Sequence, residues 1–387
     1  MPLDYWRLSG FYFFYFALLG AYIPYWGLYL SASGFSALEI GYLTGMVMAT
    51  KVVAPSLWGW LGDRSGRRLR IIRLGSLLAF LCFCGIFVSL DFAWLMLVVA
   101  AFSFFWNAVL PQFEVITLDH LASEYNRYSQ VRVWGSVGFI GAVVGLGWLF
   151  DLIPVTGLPL VMGALLAGIW LCSLWVRDGK RAVRHSSAAG LGEVLRRNTV
   201  WAFLVACFLL QIAHGPYYTF FSLYLEGLQY NRTLIGQLWA LGVVAEVLLF
   251  LGMHRILPRF GVRRIMLWSL GLAALRWLMI GFGATSLPVL LLAQCLHAAS
   301  FGAFHAVSIE LIRRSFPVGL AGQGQAIYSG ISFGAGGAAG AVISGYLWDY
   351  DPQLTFVIAS VASGLACLLA WRFIQEPDPE PVPVEQA

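Results

Sequence analysis

Residues 59–68 read Gly59-Trp-Leu-Gly-Asp63-Arg64-Ser-Gly66-Arg67-Arg68 and form a short polar turn between two long apolar stretches. Gly66 permits a tight reversal of the backbone, and Asp63 can pair with an arginine or with the end of a helix. The whole chain of 387 residues is 60% hydrophobic and only 11% charged. Soluble proteins contain roughly 25% charged residues, so we expect the turn to join two helices that span a membrane.

Apolar stretches of similar length recur along the whole chain. A helix needs about 20 apolar residues to cross the hydrocarbon core of a bilayer. The sequence predicts twelve such helices, at residues 8–31, 38–61, 71–90, 93–119, 131–151, 157–177, 200–225, 233–256, 264–283, 287–312, 323–347 and 353–373. Arginine and lysine lie mainly in the loops after the even-numbered helices, whereas the opposite loops contain Arg232 alone. Because positive loops are retained in the cytoplasm, both termini are predicted to be cytoplasmic.

The sequence also repeats itself at an offset of 195 residues. The matching residues include Gly20 with Gly215, Ile40-Gly41 with Ile235-Gly236, and Gln130 with Gln325. A parallel repeat of this kind predicts two six-helix halves with the substrate site between them. We expect an N-terminal half at residues 1–177, a cytoplasmic linker at 178–199, a C-terminal half at 200–373 and a disordered acidic tail at 374–387.

The polar turn resembles the signature of the major facilitator superfamily, Gly-x-x-x-Asp-Arg-x-Gly-Arg-Arg, at every key position. A degraded second copy runs from His254 to Arg264, where Pro258 stands in place of the aspartate. The resemblance implies an all-α membrane protein with twelve transmembrane helices in two pseudo-symmetric six-helix halves. It also implies that the turn gates the cytoplasmic side, and the residues that would carry this role are Gly59, Asp63, Arg64, Gly66 and Arg67.

Four further segments resemble the phenylpropionate permease family and, more distantly, the lactose permease and nucleoside-proton symporter group. They are Pro111–Glu114 with Asp119, Val131–Gly138, Leu275–Trp277, and Gln294–His297 followed by Phe301, Gly302 and His305. Members of these groups transport different solutes. The resemblance therefore implies transport without identifying the substrate.

Charged side chains deep in apolar spans are costly, so each is a candidate functional residue. Glu246 stands alone in its span, at the position that Lys51 occupies in the first half. A carboxyl in an apolar site can gain and lose a proton near neutral pH. We predict Glu246, Glu114 and His305 as proton-coupling residues, with structural ion pairs as the alternative interpretation.

The candidate substrate-binding residues combine arginines, histidines and aromatic rings. A guanidinium matches a carboxylate in two parallel hydrogen bonds, and an aromatic stripe in the first span could hold a ring. The predicted set is Arg132, Trp134, Arg276, His297, His214, Tyr22 and Trp26. The alternatives are that the histidines are packing residues and that the stripe faces lipid.

The function that these patterns favour is proton-coupled import of a small aromatic carboxylate across the inner membrane by alternating access. The alternatives are a sugar or nucleoside proton symporter, in which Glu114 and Arg132 pair and bind hydroxyls; a drug-proton antiporter; and a receptor that does not transport. No phosphate-binding loop, nucleophile elbow or zinc spacing occurs in the sequence, so neither an enzyme nor a cofactor or metal site is expected. The expected partners are a small solute, protons and the bilayer, but not nucleic acid, and the expected state is a monomer.

Overall fold

Twelve long helices make up most of the structure. The computed structural model describes residues 3–121, 127–177, 190–317 and 320–375, and these ranges contain no β-strand. Twelve helices are long and apolar enough to cross a membrane, which confirms the predicted number. We label them α1 to α12 in chain order: Asp4–Ala32, Ala37–Ser65, Arg68–Phe87, Phe92–His120, Tyr128–Leu152, Val155–Trp175, Asn198–Gly227, Arg232–Phe260, Val262–Gly283, Leu287–Ser315, Ala321–Trp348 and Pro352–Phe373.

Polar capping residues fix where several helices begin. Ser36 and Glu39 form reciprocal hydrogen bonds at the start of α2. The side chains of Asp91, Asn231 and Asp351 accept backbone N–H groups at the starts of α4, α8 and α12. Such caps satisfy N–H groups that have no partner within the first turn. All four caps begin even-numbered helices and therefore lie at one end of the bundle, which we call the capped end.

The segment between α6 and α7 is more regular than a linker at 178–199 implies. Leu191–Leu195 forms a short helix, and α7 already begins at Asn198. Val194 is buried in the same apolar core as Val200 and Phe203. Ile374, which the prediction placed in the tail, is also buried in this core. The remainder of the predicted linker, 178–189, and of the predicted tail, 376–387, lies outside the described residues.

The first and last six helices pack in the same pattern. Helix α1 packs on α5 and α6, and its counterpart α7 packs on α11 and α12. Helix α2 packs on α4 as α8 packs on α10, and α3 contacts α4 and α6 as α9 contacts α10 and α12. Between the two sets, α2 packs on α11, α5 on α8, and α1 on α7. The pseudo-symmetry expected from the repeat is therefore present in the helix packing.

The two sets of helices approach most closely at the capped end. A Cβ atom added to Gly41 would lie 2.8 Å from the Ala341 carbonyl oxygen, and one added to Gly147 would lie 2.5 Å from the Arg232 carbonyl oxygen. Glycine at these positions lets the helices touch backbone to backbone. Asp151 at the end of α5 accepts the backbone N–H of Arg232 at 2.9 Å. Contacts between backbones and a capping carboxylate thus hold this end together.

Candidate functional site

A cavity of about 160 Å³ lies between the two sets of helices, near the middle of the bundle. Its walls come from α1, α2 and α4 on one side and from α7, α10 and α11 on the other. Five aromatic side chains line it, from Tyr22, Trp106, Tyr218, Phe301 and Phe333. The remaining lining residues are Leu19, Ile23, Thr44, Val47, Met48, Lys51, Gln211, Gly215, Thr219, Gly337 and Ala341. The cavity is therefore mainly apolar and aromatic.

Two segments of π-helix place aromatic rings at the cavity. Residues Ala298–Ala303 of α10 and Gly330–Gly336 of α11 adopt this wider helix. Phe301 and Phe333 come from these segments, and their ring centroids lie 6.1 Å apart. Each π-turn inserts a residue into an α-helix, changes which face its side chains occupy and is common at functional sites. The two segments thus shape one wall of the cavity.

Lys51 is the one charged residue among the described residues that line the cavity. Within the described ranges, it forms neither a hydrogen bond nor an ion pair. Three other lining residues have buried polar atoms without a hydrogen-bond partner: the hydroxyls of Tyr22 and Thr219 and the indole Nε1 of Trp106. A buried polar group without a partner is costly. Lys51 is therefore the charged group available to a polar solute in this cavity, and the other three groups lack a partner in this conformation.

Glu246 lies against the tenth helix, close to His297. Glu246 Oε2 is 3.7 Å from His297 Nε2, and the two side chains are 18% and 8% exposed. Gly302 provides the space for the carboxyl side chain, because a Cβ atom there would lie 2.9 Å from Glu246 Cγ. The carboxyl and the imidazole are therefore neighbours, at a separation longer than a hydrogen bond.

Arg276 is fully buried beside this pair. Its Nε donates to the Ala293 carbonyl at 2.9 Å and its Nη1 to Ser300 Oγ at 3.4 Å. The guanidinium carbon lies 4.2 Å from the Tyr217 ring centroid and 4.6 Å from the Trp277 ring centroid. No carboxylate of the described chain forms an ion pair with it. Aromatic faces and a backbone carbonyl therefore stabilise its charge.

Arg132 and Glu114 face each other in the first half, outside the cavity lining. Arg132 Nε lies 3.9 Å from Glu114 Oε1, and its guanidinium carbon is 4.1 Å from the Phe16 ring centroid. Trp134 points elsewhere: its Nε1 donates to the Tyr5 hydroxyl at 2.9 Å, and its ring packs on Trp6. The structure thus separates Arg132 from Trp134, which the sequence prediction combined in one site.

The predicted histidines and aromatic residues divide between two places. His214 and His305 line a second pocket of about 10 Å³, which shares Phe301 and Phe333 with the cavity. The rings of His297, Phe301 and His305 stack along one face of α10 with centroid separations of 5.3 and 6.3 Å. Tyr22 lines the cavity, whereas Trp26 is buried against the rings of Tyr22 and Tyr29.

The basic turn after α2 forms a defined network. Asp63 forms an ion pair with Arg68, and Arg68 Nη1 donates to Gln112 Oε1 of α4 at 2.6 Å. Gly66 ends α2 in a left-handed conformation with φ of 63°. Arg64 instead lies over the Trp60 ring, 5.3 Å from its centroid. The partner of Asp63 is therefore Arg68, which the predicted gating set did not include.

The sequence prediction also missed several residues of the cavity. Lys51 was noted as a charge within a span, but it was not assigned to the site. Gln211 and Tyr218 share a helical face with His214, and this periodicity was the available signal for them. Trp106 and Phe333 had no such signal, because their position depends on contacts between helices that are far apart in the sequence.

The chain is similar to membrane transporters over nearly its whole length. Residues 5–358 match the MFS_1 like family. A protein of Escherichia coli (strain K12) named "Probable 3-phenylpropionic acid transporter" is 30% identical over 373 residues, covering 92% of this chain and 94% of that protein. The "Maltose permease" of Geobacillus stearothermophilus is 26% identical over 370 residues, covering 93% and 92%. A mutant of the nucleoside transporter NupG matches 96% of this chain and 100% of its own with a TM-score of 0.87 at 17% identity, which shows a shared fold.

Proposed function

This chain belongs to the MFS_1 like family of transporters, and we propose that it imports a small aromatic carboxylate together with protons by alternating access. A parallel repeat of two six-helix halves with a cavity between them suits this mechanism, because the halves can rock about a central site.

The aromatic cavity is the observation that carries this proposal. Five aromatic side chains surround about 160 Å³, below the roughly 300–1,000 Å³ of sites for drug-sized molecules. A space of this size suits a single small ring and disfavours drug-proton antiport. The relative at 30% identity is named for 3-phenylpropionic acid, which is such a solute.

In this proposal, Glu246 and His297 are the residues that couple transport to protons. A buried carboxylate is costly unless it is paired, and His297 Nε2 at 3.7 Å is its nearest ionisable partner. Protonation of Glu246 would remove a buried charge, so the two protonation states favour different surroundings for this side chain. Glu114 differs in that its carboxylate forms an ion pair with Arg132 at 3.9 Å.

A second candidate is a sugar or nucleoside proton symporter. The ion pair between Arg132 and Glu114, at 3.9 Å, is the observation that favours it, because such a pair offers donors and acceptors to hydroxyl groups. Relatives named for maltose and for nucleosides match the chain at 26% and 24% identity, and a nucleoside transporter also shares its fold. The pair lies outside the cavity lining, so a sugar would require a different position from that of the aromatic solute.

Transport assays with the purified full chain in proteoliposomes test both candidates. We expect radiolabelled 3-phenylpropionate to accumulate when an inward proton gradient is imposed and to lose this accumulation when a protonophore is added. Maltose and xanthosine should not accumulate under the same conditions. Accumulation of either of these solutes, without accumulation of any aromatic acid, would establish the second candidate instead.

The proposed location is the inner membrane, with a monomeric chain and both termini in the cytoplasm. The distribution of arginine between the two ends of the bundle supports this orientation. Reporter fusions after Asp91, Asp151 and Ser286 should be active in the periplasm, and a fusion after Arg68 should be active in the cytoplasm. The proposed halves at 1–177 and 200–373 predict that the two pieces, expressed as separate chains, restore transport together.

A further inference from the structure

We propose that Lys51 is the cation that binds the carboxylate of the substrate in the central cavity. The inference rests on the proposed function, since it identifies the group that recognises a carboxylate within that same cavity. It assigns to α2 a role that the sequence prediction gave to Arg132 of α5.

The charge of Lys51 has no counter-ion within the described residues. The other described residues that line the cavity are uncharged, and most of them are apolar or aromatic. A charged side chain inside a membrane protein is costly unless it is paired or reaches water. A bound carboxylate supplies the missing counter-ion. The interaction is strong in such surroundings because few water molecules compete with it.

The other two cations within the spans contact aromatic rings, although Arg276 has no counter-ion among the described residues and its Nη2 has no hydrogen-bond partner. Arg132 faces Glu114 and the Phe16 ring, and Arg276 donates to Ala293 and lies over two aromatic rings. Neither arginine belongs to the cavity lining. A carboxylate in the cavity therefore has Lys51 as its nearest free cation among the described residues.

The rest of the cavity suits the aromatic part of such a solute. Tyr218, Phe301 and Phe333 lie on the second half, across from Lys51 on the first. Tyr22 on α1 and Trp106 on α4 add aromatic surface on the first half. An aromatic acid can therefore place its carboxylate on the first half and its ring against the second. This arrangement would couple the solute to both halves, as alternating access requires.

Equilibrium binding to the purified full chain tests this inference. The ligands are 3-phenylpropionate and its neutral amide, 3-phenylpropanamide, which differ in charge but hardly in shape. Wild-type protein should bind the acid more tightly. Lys51→Met should weaken binding of the acid by about tenfold or more, the loss expected for a hydrogen bond to a charged group. It should change binding of the amide by much less, and Lys51→Arg should retain most of the affinity for the acid.

A control variant and the neutral ligand distinguish failure of this inference from failure of the proposed function. Arg372→Gln removes one positive charge from the exposed end of α12, away from the cavity, and should leave binding of both ligands as in the wild type. Retained binding of the amide by Lys51→Met shows that this variant is folded. Equal binding of the acid by Lys51→Met and wild type would overturn the role of Lys51 while leaving the proposed function intact. Failure of the wild type to bind any aromatic acid would overturn both.

Discussion

Lys51 and Glu246 occupy the same position in the two halves, yet their surroundings differ. Lys51 lines the cavity without a partner, whereas Glu246 lies against α10, 3.7 Å from His297. The difference follows from the residues that stand at another pair of equivalent positions, next to Lys51 and Glu246. Asn107 stands in α4 where Gly302 stands in α10, and its amide donates to the Val47 carbonyl and Thr50 Oγ1, both at 2.9 Å. The space that receives Glu246 in one half is thus filled in the other.

The comparison suggests how the two halves of an internal repeat can have different roles. A glycine opens room behind α8, so the carboxyl lies outside the cavity lining and beside His297. An asparagine closes the equivalent room behind α2, which leaves the Lys51 ammonium at the cavity. In our proposal, the first half therefore recognises the solute and the second half carries the proton. The following predictions test this division, from the largest expected effect to the smallest.

Glu246→Gln should abolish accumulation of the solute against its gradient. The amide keeps the size of the side chain but cannot gain or lose a proton near neutral pH. Exchange of labelled for unlabelled solute at equal concentrations should continue, because it does not require proton release. Glu310→Gln is the matched control, since Glu310 is paired with Arg313 and Arg314 at the end of α10. Accumulation that survives in Glu246→Gln would show that another group carries the proton.

Gly302→Ala should impair accumulation and destabilise the protein by roughly 1–3 kcal/mol, the usual cost of overpacking. The added methyl group would lie 2.9 Å from Glu246 Cγ and would displace this side chain. Gly271→Ala in α9 is the control, because a Cβ atom there meets nothing within 4 Å. Thermal unfolding and uptake measure the two effects. Normal accumulation in Gly302→Ala would mean that the space behind Glu246 has no role in coupling.

Arg276→Met should leave the thermal stability unchanged or raise it. Replacing a buried charged group with an apolar side chain of similar volume is often neutral or stabilising, by about 1–4 kcal/mol. The variant gives up the hydrogen bonds to Ala293 and Ser300, so the two effects oppose each other. Differential scanning fluorimetry measures the shift. A large fall in Tm would show that the guanidinium stabilises the second half.

Arg132→Lys should weaken binding of 3-phenylpropionate and of its amide by the same small factor. The variant loses part of the contact with the Phe16 ring, worth about 0.5–2 kcal/mol, and alters the pairing with Glu114. Because Arg132 lies outside the cavity lining, this change should not depend on the charge of the ligand. If Arg132→Lys weakens binding of the acid but not of the amide, then Arg132 binds the carboxylate, as the sequence alone suggested.

Asp63→Asn should have the smallest effect on stability, below about 1 kcal/mol, because the Asp63 side chain is exposed and surface ion pairs contribute little. The second half already lacks the equivalent carboxylate, with Pro258 at that position. The transport rate should nevertheless fall, because the pair with Arg68 joins the turn to Gln112 of α4. An unchanged rate in a stopped-flow uptake assay would argue against gating by this turn.

The sequence alone determined the number and limits of the spanning helices. Each predicted span lies within a few residues of the observed helix, because the length of an apolar stretch and the capping residues at its start are local properties. The sequence also showed the internal repeat, in which Lys51 and Glu246 occupy equivalent positions. The candidate residues Glu246, His297 and Arg276 were identified because charged and titratable groups are rare within apolar spans, and Tyr22 because it belongs to an aromatic stripe in the first span.

Only the tertiary structure decided which of these residues meet. The rotation of each helix about its axis depends on helices distant in the sequence, such as α2 on α11 and α5 on α8. This rotation placed Lys51 in the cavity and directed Trp134 towards Tyr5. The π-helical segments at 298–303 and 330–336 also change the side-chain periodicity on which helical faces are predicted. The sequence specifies the chemical groups, whereas packing between the two halves specifies their partners.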